Sequence, residues 1–163
     1  MALAAKVQVG PAKIGMGLFA ARSLSAGEEI MRLDGRVVHH TVLWRRRGSV
    51  FSANCIRFGA ETYLDPGEGA GRYINHSCAP NAFLEKRGRW LYLVAARRIG
   101  VGSELSFDYS TTIGDDDIWQ MRCRCGQARC RGTIRNFGTL PERLRKRYLM
   151  KGLVPGYIIN TLD

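Results

Sequence analysis

The stretch Arg-Tyr-Ile-Asn-His-Ser-Cys-Ala-Pro-Asn at residues 72–81 carries the pattern that decides the fold. It begins apolar and aromatic and turns polar at Asn75, and the side chains of Asn75 and Ser77 bond readily to nearby backbone. Pro80 fixes its own φ angle and supplies no backbone donor. Such a segment suits neither the interior of a helix nor that of a strand. We predict a buried, irregular polar turn, whose backbone groups need partners such as a ligand or a metal.

Three further motifs lie on either side of this turn. Gly-Met-Gly-Leu-Phe-Ala occupies residues 15–20, Glu-Leu-Ser-Phe-Asp-Tyr occupies residues 104–109, and Cys-Arg-Cys-Gly-Gln-Ala-Arg-Cys occupies residues 123–130. A lone Gly-x-Gly is weak evidence, and this one lacks the rest of a dinucleotide-binding fingerprint. In this order and at this spacing, the four motifs resemble those of SET-domain protein-lysine methyltransferases with a post-SET zinc motif. The resemblance extends from about residue 6 to about residue 137.

Composition limits the function classes. The chain of 163 residues has the size of one domain and carries a net charge of +11, which favours contact with DNA or an acidic protein face. A solvated basic surface without a partner explains the charge equally well. No apolar run reaches the length of a membrane span, and residues 1–6 are too short for the apolar core of a signal peptide. We therefore expect no membrane contact and an intracellular protein, nuclear in a eukaryote or cytoplasmic in a bacterium.

Many short strand patterns, frequent glycines and little early helix predict a mostly β protein. The resemblance implies a SET-domain fold of small curved sheets (a β-clip), with short helices, a C-terminal helix and a pseudoknot-like threaded C-terminal segment. In this threaded region we expect Asn75 and His76 to meet Asp108 and Tyr109. The implied division is a SET domain at 5–110, a post-SET zinc-binding segment at 111–138 and a C-terminal helical extension at 139–163.

Local signals predict several elements. Residues 30–33 and 36–38 should form a hairpin around Asp34-Gly35, and residues 83–84 and 90–95 should form another around Arg87-Gly88. A capping-box pattern beginning at Thr139 predicts a helix over about 140–151, ending at Gly152.

A shorter helix over 41–47 is predicted, with Trp44 packed inward. Adjacent strand residues point to opposite faces, so His39 and His40 are not predicted to form a metal-binding pair.

The resemblance implies S-adenosylmethionine as cofactor. The glycine turn would present backbone groups to its methionine part, Asn75 would contact its amino-acid part, and the backbone of His76 would contact adenine. The predicted cofactor-binding residues are Met16, Gly17, Leu18, Arg72, Tyr73, Asn75, His76 and Phe137, the last of them near adenine.

Methyl transfer to lysine needs a neutral amine, although a free lysine has a pKa near ~10.4. A narrow apolar channel lowers that pKa by desolvation, so no acid–base pair like that of a hydrolase is required. By resemblance, the hydroxyl of Tyr109 acts beside the amine, and Tyr63 lines the lysine channel. Phe107 shares a strand face with Tyr109, and the resemblance implies that phenylalanine here permits di- or trimethylation. In isolation, Phe107 and Tyr109 would be interpreted as core aromatics at a strand end.

Three of the five cysteines follow the spacing Cys123-x-Cys125-x4-Cys130. In an intracellular protein this cluster indicates a metal before it indicates disulfides, although reduced surface thiols are an alternative. A closed structural zinc site needs four ligands. The resemblance implies Cys78 as the fourth ligand for one Zn²⁺ ion, and leaves Cys55 as a small packed residue.

The implied substrate is a lysine-containing protein, either a histone or another basic protein. A chain with a net charge of +11 should repel such a substrate, so we expect the aspartates at 115–117 to provide a local acidic rim. The alternative is a catalytically silent SET-like module that binds chromatin or nucleic acid.

Overall fold

Short strands dominate the computed structural model, which describes residues 5–49, 53–117 and 119–162. The strands are β1 (Val7–Pro11), β2 (Met16–Ala20), β3 (Glu29–Leu33), β4 (Arg36–His39), β5 (Ile56–Arg57), β6 (Thr62–Asp65), β7 (Asn75–His76), β8 (Ala82–Arg87), β9 (Trp90–Ala95), β10 (Ser106–Phe107), β11 (Met121–Arg122) and β12 (Thr133–Ile134). The α-helices are α1 (His40–Arg45), α2 (Glu142–Met150) and α3 (Gly156–Ile159), and 3-10 helices cover Ala70–Tyr73, Tyr109–Thr112 and Phe137–Thr139. A search of these ranges finds no helix with the length and apolarity of a membrane span.

The strands form five small sheets rather than one large one. β3, β9 and β8 form one three-stranded sheet and β4, β6 and β5 another, while β1–β2, β7–β10 and β11–β12 are two-stranded. Among the described residues, no sheet closes into a barrel. The predicted mostly β architecture of small sheets is confirmed.

The main core lies between these sheets. β8 and β9 supply Leu84, Leu91 and Leu93, and Leu18 and Leu105 join them in the same buried cluster. Burying each such leucine contributes about 1.5–3 kcal/mol. A second cluster forms around Phe137, Tyr148 and Ile158 in the C-terminal part of the chain.

Of the two predicted hairpins, one forms. β8 and β9 pair antiparallel, with Arg87 opposite Trp90 and Gly88 in the left-handed region at φ 56°. The hairpin predicted around Gly35 is wrong, because β3 pairs with β9 while β4 pairs with β6. A side chain at Gly35 would clash with the carbonyl oxygen of Asp65, so this glycine permits a close backbone approach instead of a two-residue turn.

The C-terminal helix begins later than predicted. Pro141 is the N-cap residue of α2, whereas Thr139 belongs to the preceding 3-10 helix and its N–H donates to the side chain of Asn136. The end is as predicted, with Gly152 at φ 63° directly after the C-cap. The short helix α1 is also confirmed, but the inward packing of Trp44 is wrong because its side chain is 55% exposed.

The pairing of β10 with β7 positions the candidate site. These two strands lie parallel, with Ser106 opposite Asn75 and Phe107 opposite His76. The chain then enters a 3-10 helix that begins at Tyr109, whose backbone N–H donates to Nδ1 of His76 at 3.1 Å. The predicted meeting of these two segments is therefore confirmed.

Candidate active site and metal centre

Two cavities meet at Tyr109. One has a volume of about 730 Å³ and the other about 480 Å³, and Tyr109 is the one residue of the described ranges that lines both. Its hydroxyl donates to the carbonyl oxygen of Ile74 at 2.7 Å. Burial is the main cause that raises the pKa of Tyr109, and the nearby carboxylate of Glu104 raises it further. The phenol therefore stays protonated at neutral pH.

Aromatic side chains surround Tyr109 on the side of the larger cavity. The ring centroids of Phe107 and Tyr109 are 4.8 Å apart, and those of Tyr109 and Trp119 are 6.5 Å apart. Tyr63 lines the same cavity and donates its hydroxyl to Oδ2 of Asp117 at 2.9 Å. This part of the wall is therefore apolar and aromatic, which suits the exclusion of water around an amine.

The acidic segment after Tyr109 faces the larger cavity but already has internal partners. The guanidinium of Arg57, only 3% exposed, binds both carboxylate oxygens of Asp116, with Nη2 2.8 Å from Oδ2. Hydrogen bonding by Arg57 lowers the pKa of Asp116. Asp115 accepts from the backbone of Gly138 at 2.9 Å. The aspartates of the expected acidic rim thus have internal partners, and Asp117 accepts from the hydroxyl of Tyr63 and from the backbone N–H of Trp119.

The smaller cavity is organised by Asn75 and Glu104. The amide nitrogen of Asn75 donates to the carbonyl oxygen of Met16 at 3.1 Å and to Oε1 of Glu104 at 2.7 Å. A Cβ at Gly17 would lie 2.7 Å from the same Glu104 oxygen and 2.8 Å from Cβ of Ala12. A glycine is therefore needed at position 17 for the turn to approach Asn75 and Glu104.

Metal-binding side chains collect beside the smaller cavity. The ligand atoms of His76, Cys78, Cys123 and Cys125 all lie within 4.8 Å of one another, and the sulfurs of Cys78 and Cys123 are 3.8 Å apart. Burial raises the pKa of Cys125, but hydrogen bonds from the backbone and from thiols, Cys130 among them, outweigh it and bring that pKa to about 7. Thiolates at this spacing fit a structural zinc ion.

His76 connects this candidate metal site to Tyr109. Burial lowers the pKa of His76 to about 4, so its ring is neutral at pH 7. Because Nδ1 accepts from the backbone of Tyr109, the proton resides on Nε2, which lies 3.3 Å from the sulfur of Cys78. An N–H that faces a ligand sulfur is typical of the residues that orient a metal site. This geometry favours Cys130 over His76 as the fourth ligand, which stays a prediction.

The SET-domain family profile matches residues 15–110, more than half of the chain. The chain belongs to the SET-domain family. Its relatives include human histone-lysine N-methyltransferase 2D, 32% identical over 72% of this chain, and human histone-lysine N-methyltransferase 2B, 34% identical over 72%. A Yarrowia lipolytica histone-lysine N-methyltransferase, H3 lysine-36 specific, is 29% identical over 75%. The chain spans 2%, 5% and 17% of the lengths of these relatives.

A solved structure shows the same fold. SUVH6 from Arabidopsis thaliana, crystallised in complex with SAM, superposes with a TM-score of 0.65 at 23% sequence identity. The match covers 78% of this chain and 33% of that chain. The similarity supports the SET-domain architecture of small sheets described above.

The SET domain brings some of the predicted cofactor residues together and separates others. Asn75 and His76 line the smaller cavity, and Met16 reaches it through the bond to Asn75. Arg72 lines the larger cavity instead, and Tyr73 packs against the main core. Their roles toward a cofactor stay predictions.

Leu18 and Phe137 are 0% exposed in the two core clusters. Neither is among the residues that line the two cavities, and their predicted roles toward a cofactor stay predictions.

Two carboxylates of the site, Glu104 and Asp108, were not among the predicted catalytic, cofactor-binding or metal-binding residues, although Asp108 was expected to lie near His76. Glu104 is the first residue of the motif at 104–109, and its membership of that motif is the sequence feature that could have predicted its contact with Asn75. Asp108 is 2% exposed and accepts from Nη2 of Arg131 at 2.7 Å, from the backbone of Ser110 at 3.1 Å and from the hydroxyl of Tyr148 at 3.0 Å. The C-terminal helix α2 therefore supports the residue directly before Tyr109.

Replacing Tyr148 with phenylalanine is expected to lower the free energy of unfolding by about 1–3 kcal/mol, because Oδ2 of buried Asp108 loses its phenolic donor. Urea denaturation followed by circular dichroism measures the change. Tyr92→Phe is the matched control, since Tyr92 lies in β9 and lines neither cavity. If Tyr148→Phe is as stable as the wild type, this hydrogen bond does not stabilise the fold.

Proposed function

We propose that the protein is an S-adenosylmethionine-dependent protein-lysine N-methyltransferase that acts on a histone or another basic protein. The observation that carries the proposal is the position of Tyr109 between two cavities. Membership of a family whose relatives are histone-lysine N-methyltransferases supports the reaction class. Two reactants that enter from opposite sides would meet at one hydroxyl group, as a group transfer requires.

The smaller cavity fits the cofactor. A volume of about 480 Å³ lies within the usual range for small-molecule sites. The amino-acid part of S-adenosylmethionine carries a carboxylate and an ammonium group, and the lining offers charges of both signs. The cations are Lys13, Arg97, Arg122 and Arg124, and the carboxylate is that of Glu104. When bound, S-adenosylmethionine supplies an activated methyl group on a sulfonium centre.

The larger cavity fits the lysine side chain. Phe107 and Trp119 present apolar surface next to Tyr109, and a desolvated amine there loses its proton more readily than in water. The Tyr109 hydroxyl donates its proton to the carbonyl of Ile74, which leaves its oxygen lone pairs free to accept from the amine. The chain thus positions and desolvates the nucleophile without an acid–base pair.

One structural zinc ion is part of the proposal, held by Cys78, Cys123, Cys125 and Cys130. These residues tie the segment with β11 and β12 to the turn after His76, and Met121, Cys125 and Ile134 of that segment line the smaller cavity. Zinc would therefore stabilise one wall of the cofactor site.

The experiment that tests the function has two parts. Calorimetry with S-adenosylmethionine is expected to show one binding event per chain. Incubation with histones and with basic proteins of the source cell, followed by mass spectrometry, is expected to show added methyl groups on lysine. Absence of cofactor binding by zinc-loaded protein would favour a catalytically silent SET-like module that binds chromatin or nucleic acid.

Phe107→Tyr is expected to shift the product from di- or trimethyl-lysine toward monomethyl-lysine. The Phe107 side chain lines the larger cavity next to Tyr109, and a hydroxyl there can hold a water in the space that a methylated amine needs. Mass spectrometry of the product at complete turnover measures the shift. An unchanged methylation state in a folded, active variant would assign Phe107 to the core alone.

A further inference from the structure

Three side chains of types that bind metal ions lie close together beside the larger cavity, apart from the cysteine cluster. His39 ends β4, His40 begins α1, and Glu61 directly precedes β6. Their ligand atoms all lie within 4.8 Å of one another, and the two imidazole centroids are 4.3 Å apart. The strand ends at His39, so the expectation that these adjacent side chains point to opposite faces does not hold here.

The backbone holds these three residues in fixed relative positions. In the sheet, His39 pairs with Thr62, and the backbone N–H of His40 donates to the carbonyl oxygen of Glu61 at 2.8 Å. The ligand atoms are already close together, since His39 Nε2 is 3.7 Å from Glu61 Oε2. Ligands carried on paired strands and a helix start are well suited to a preorganised site.

Thr41 orients the first imidazole. Its backbone N–H donates to Nδ1 of His39 at 3.4 Å as part of the N-cap of α1, and its hydroxyl lies 3.1 Å from the same nitrogen. These contacts leave Nε2 on the side of Glu61. A metal-bound histidine usually donates its remote ring N–H to an acceptor, and the hydroxyl of Thr41 can fill that role for His39.

We propose that His39, His40 and Glu61 bind one divalent transition-metal ion of the zinc type. Two imidazoles and one carboxylate are the donor set of an open zinc site, in which water or a further ligand completes the coordination. All three side chains are exposed, so solvent reaches the open positions. His40 and Glu61 also line the larger cavity, and the bound ion joins α1 to the turn before β6 across its mouth.

This site goes beyond the proposed methyl transfer and does not depend on it. The simpler alternative is an ion pair between His39 and Glu61, which would also bring these two side chains close together. An ion pair needs neither His40 nor a metal, so the contribution of His40 to binding separates the two explanations.

The test is elemental analysis and calorimetry with Zn²⁺ as the probe, on protein without S-adenosylmethionine or substrate. The chain first receives one equivalent of zinc for the cysteine site. Wild type is expected to bind a second equivalent, and His40→Ala and Glu61→Gln are each expected to weaken that second event by at least about 10-fold. Glu68→Gln is the control, because Glu68 is an exposed carboxylate that pairs with Arg72 and is not part of the cluster.

A single zinc event in the wild type overturns the proposal, and so does a second event that both variants retain. Because the three side chains are exposed, the variants are expected to fold, and thermal melting checks this. The readout is binding alone, so failure of the methylation assay leaves it unaffected. Absence of methylation would contradict the proposed reaction at Tyr109, whereas absence of the second zinc event would contradict the proposed metal site at His40 and Glu61.

Discussion

Tyr109→Phe is expected to lower kcat for lysine methylation on the order of 10²–10³-fold, the effect of removing one positioned polar group from a transition state. The affinity for S-adenosylmethionine is expected to stay within about twofold, because the variant keeps the ring and removes only the hydroxyl. That hydroxyl is held by the carbonyl of Ile74, and the ring packs against Phe107 and His76 independently of it.

Single-turnover kinetics together with calorimetry separate these two effects. Tyr92→Phe serves as the control, since it also removes a phenolic hydroxyl but at a position outside both cavities. Thermal melting of the Tyr109 variant detects any loss of stability from the unpaired Ile74 carbonyl. Wild-type turnover in the folded variant would remove Tyr109 from the mechanism, and a parallel loss of cofactor binding would make its role structural.

Removal of zinc, by a chelator or by Cys125→Ser, is expected to abolish turnover while the main core remains folded. A small cluster of Ile113, Cys123 and Ile134 packs around the cysteines and against Tyr109, whereas the main core contains none of the four cysteines. Structural zinc contributes on the order of 10 kcal/mol to the folding of small zinc-binding peptides, so the segment with β11 and β12 has little to replace it.

Hydrogen exchange measured by mass spectrometry is the suitable readout, because it resolves loss of order in this segment from unfolding of β8 and β9. Cys55→Ser is the matched control. Cys55 lies in the wall of the larger cavity, where burial raises the pKa of its thiol to about 11, and it is not a predicted ligand. A Cys125→Ser protein that binds as many equivalents of zinc as the wild type would contradict the proposed ligand set.

The fold elements that the sequence predicted correctly depend on interactions over a few residues. The hairpin of β8 and β9 needs an apolar alternation and a glycine at position 88, and the end of α2 needs a glycine at position 152. The spacing of Cys123 and Cys125 brings their side chains together with little help from the rest of the chain. Patterns of this kind are visible in the sequence because the partners are close along it.

Two of the wrong predictions arise from competing contacts that the local pattern did not include. Asp34-Gly35 has the composition of a hairpin turn, but each flanking strand has a partner elsewhere, in β9 and in β6. The start of α2 moved because the Asn136 side chain accepts from the backbone of Thr139, which removes Thr139 from its predicted capping role. Distant strand pairing outweighs the turn preference at Asp34-Gly35, whereas at Thr139 a competing contact three residues away outweighs a capping preference of about 1 kcal/mol.

The sequence by itself determined the family and the mostly β class. It also determined the segments that form the candidate site and the cysteines that can hold a metal. Each of these depends on patterns within short contiguous segments of the chain. Only the tertiary structure decided that Tyr148 supports Asp108 across 40 residues, that Arg57 binds Asp116 across 59 residues, and that His39, His40 and Glu61 converge. A buried charge needs a partner, but its position along the chain does not indicate which one. That choice depends on how the sheets and the C-terminal helices pack, which no local pattern records.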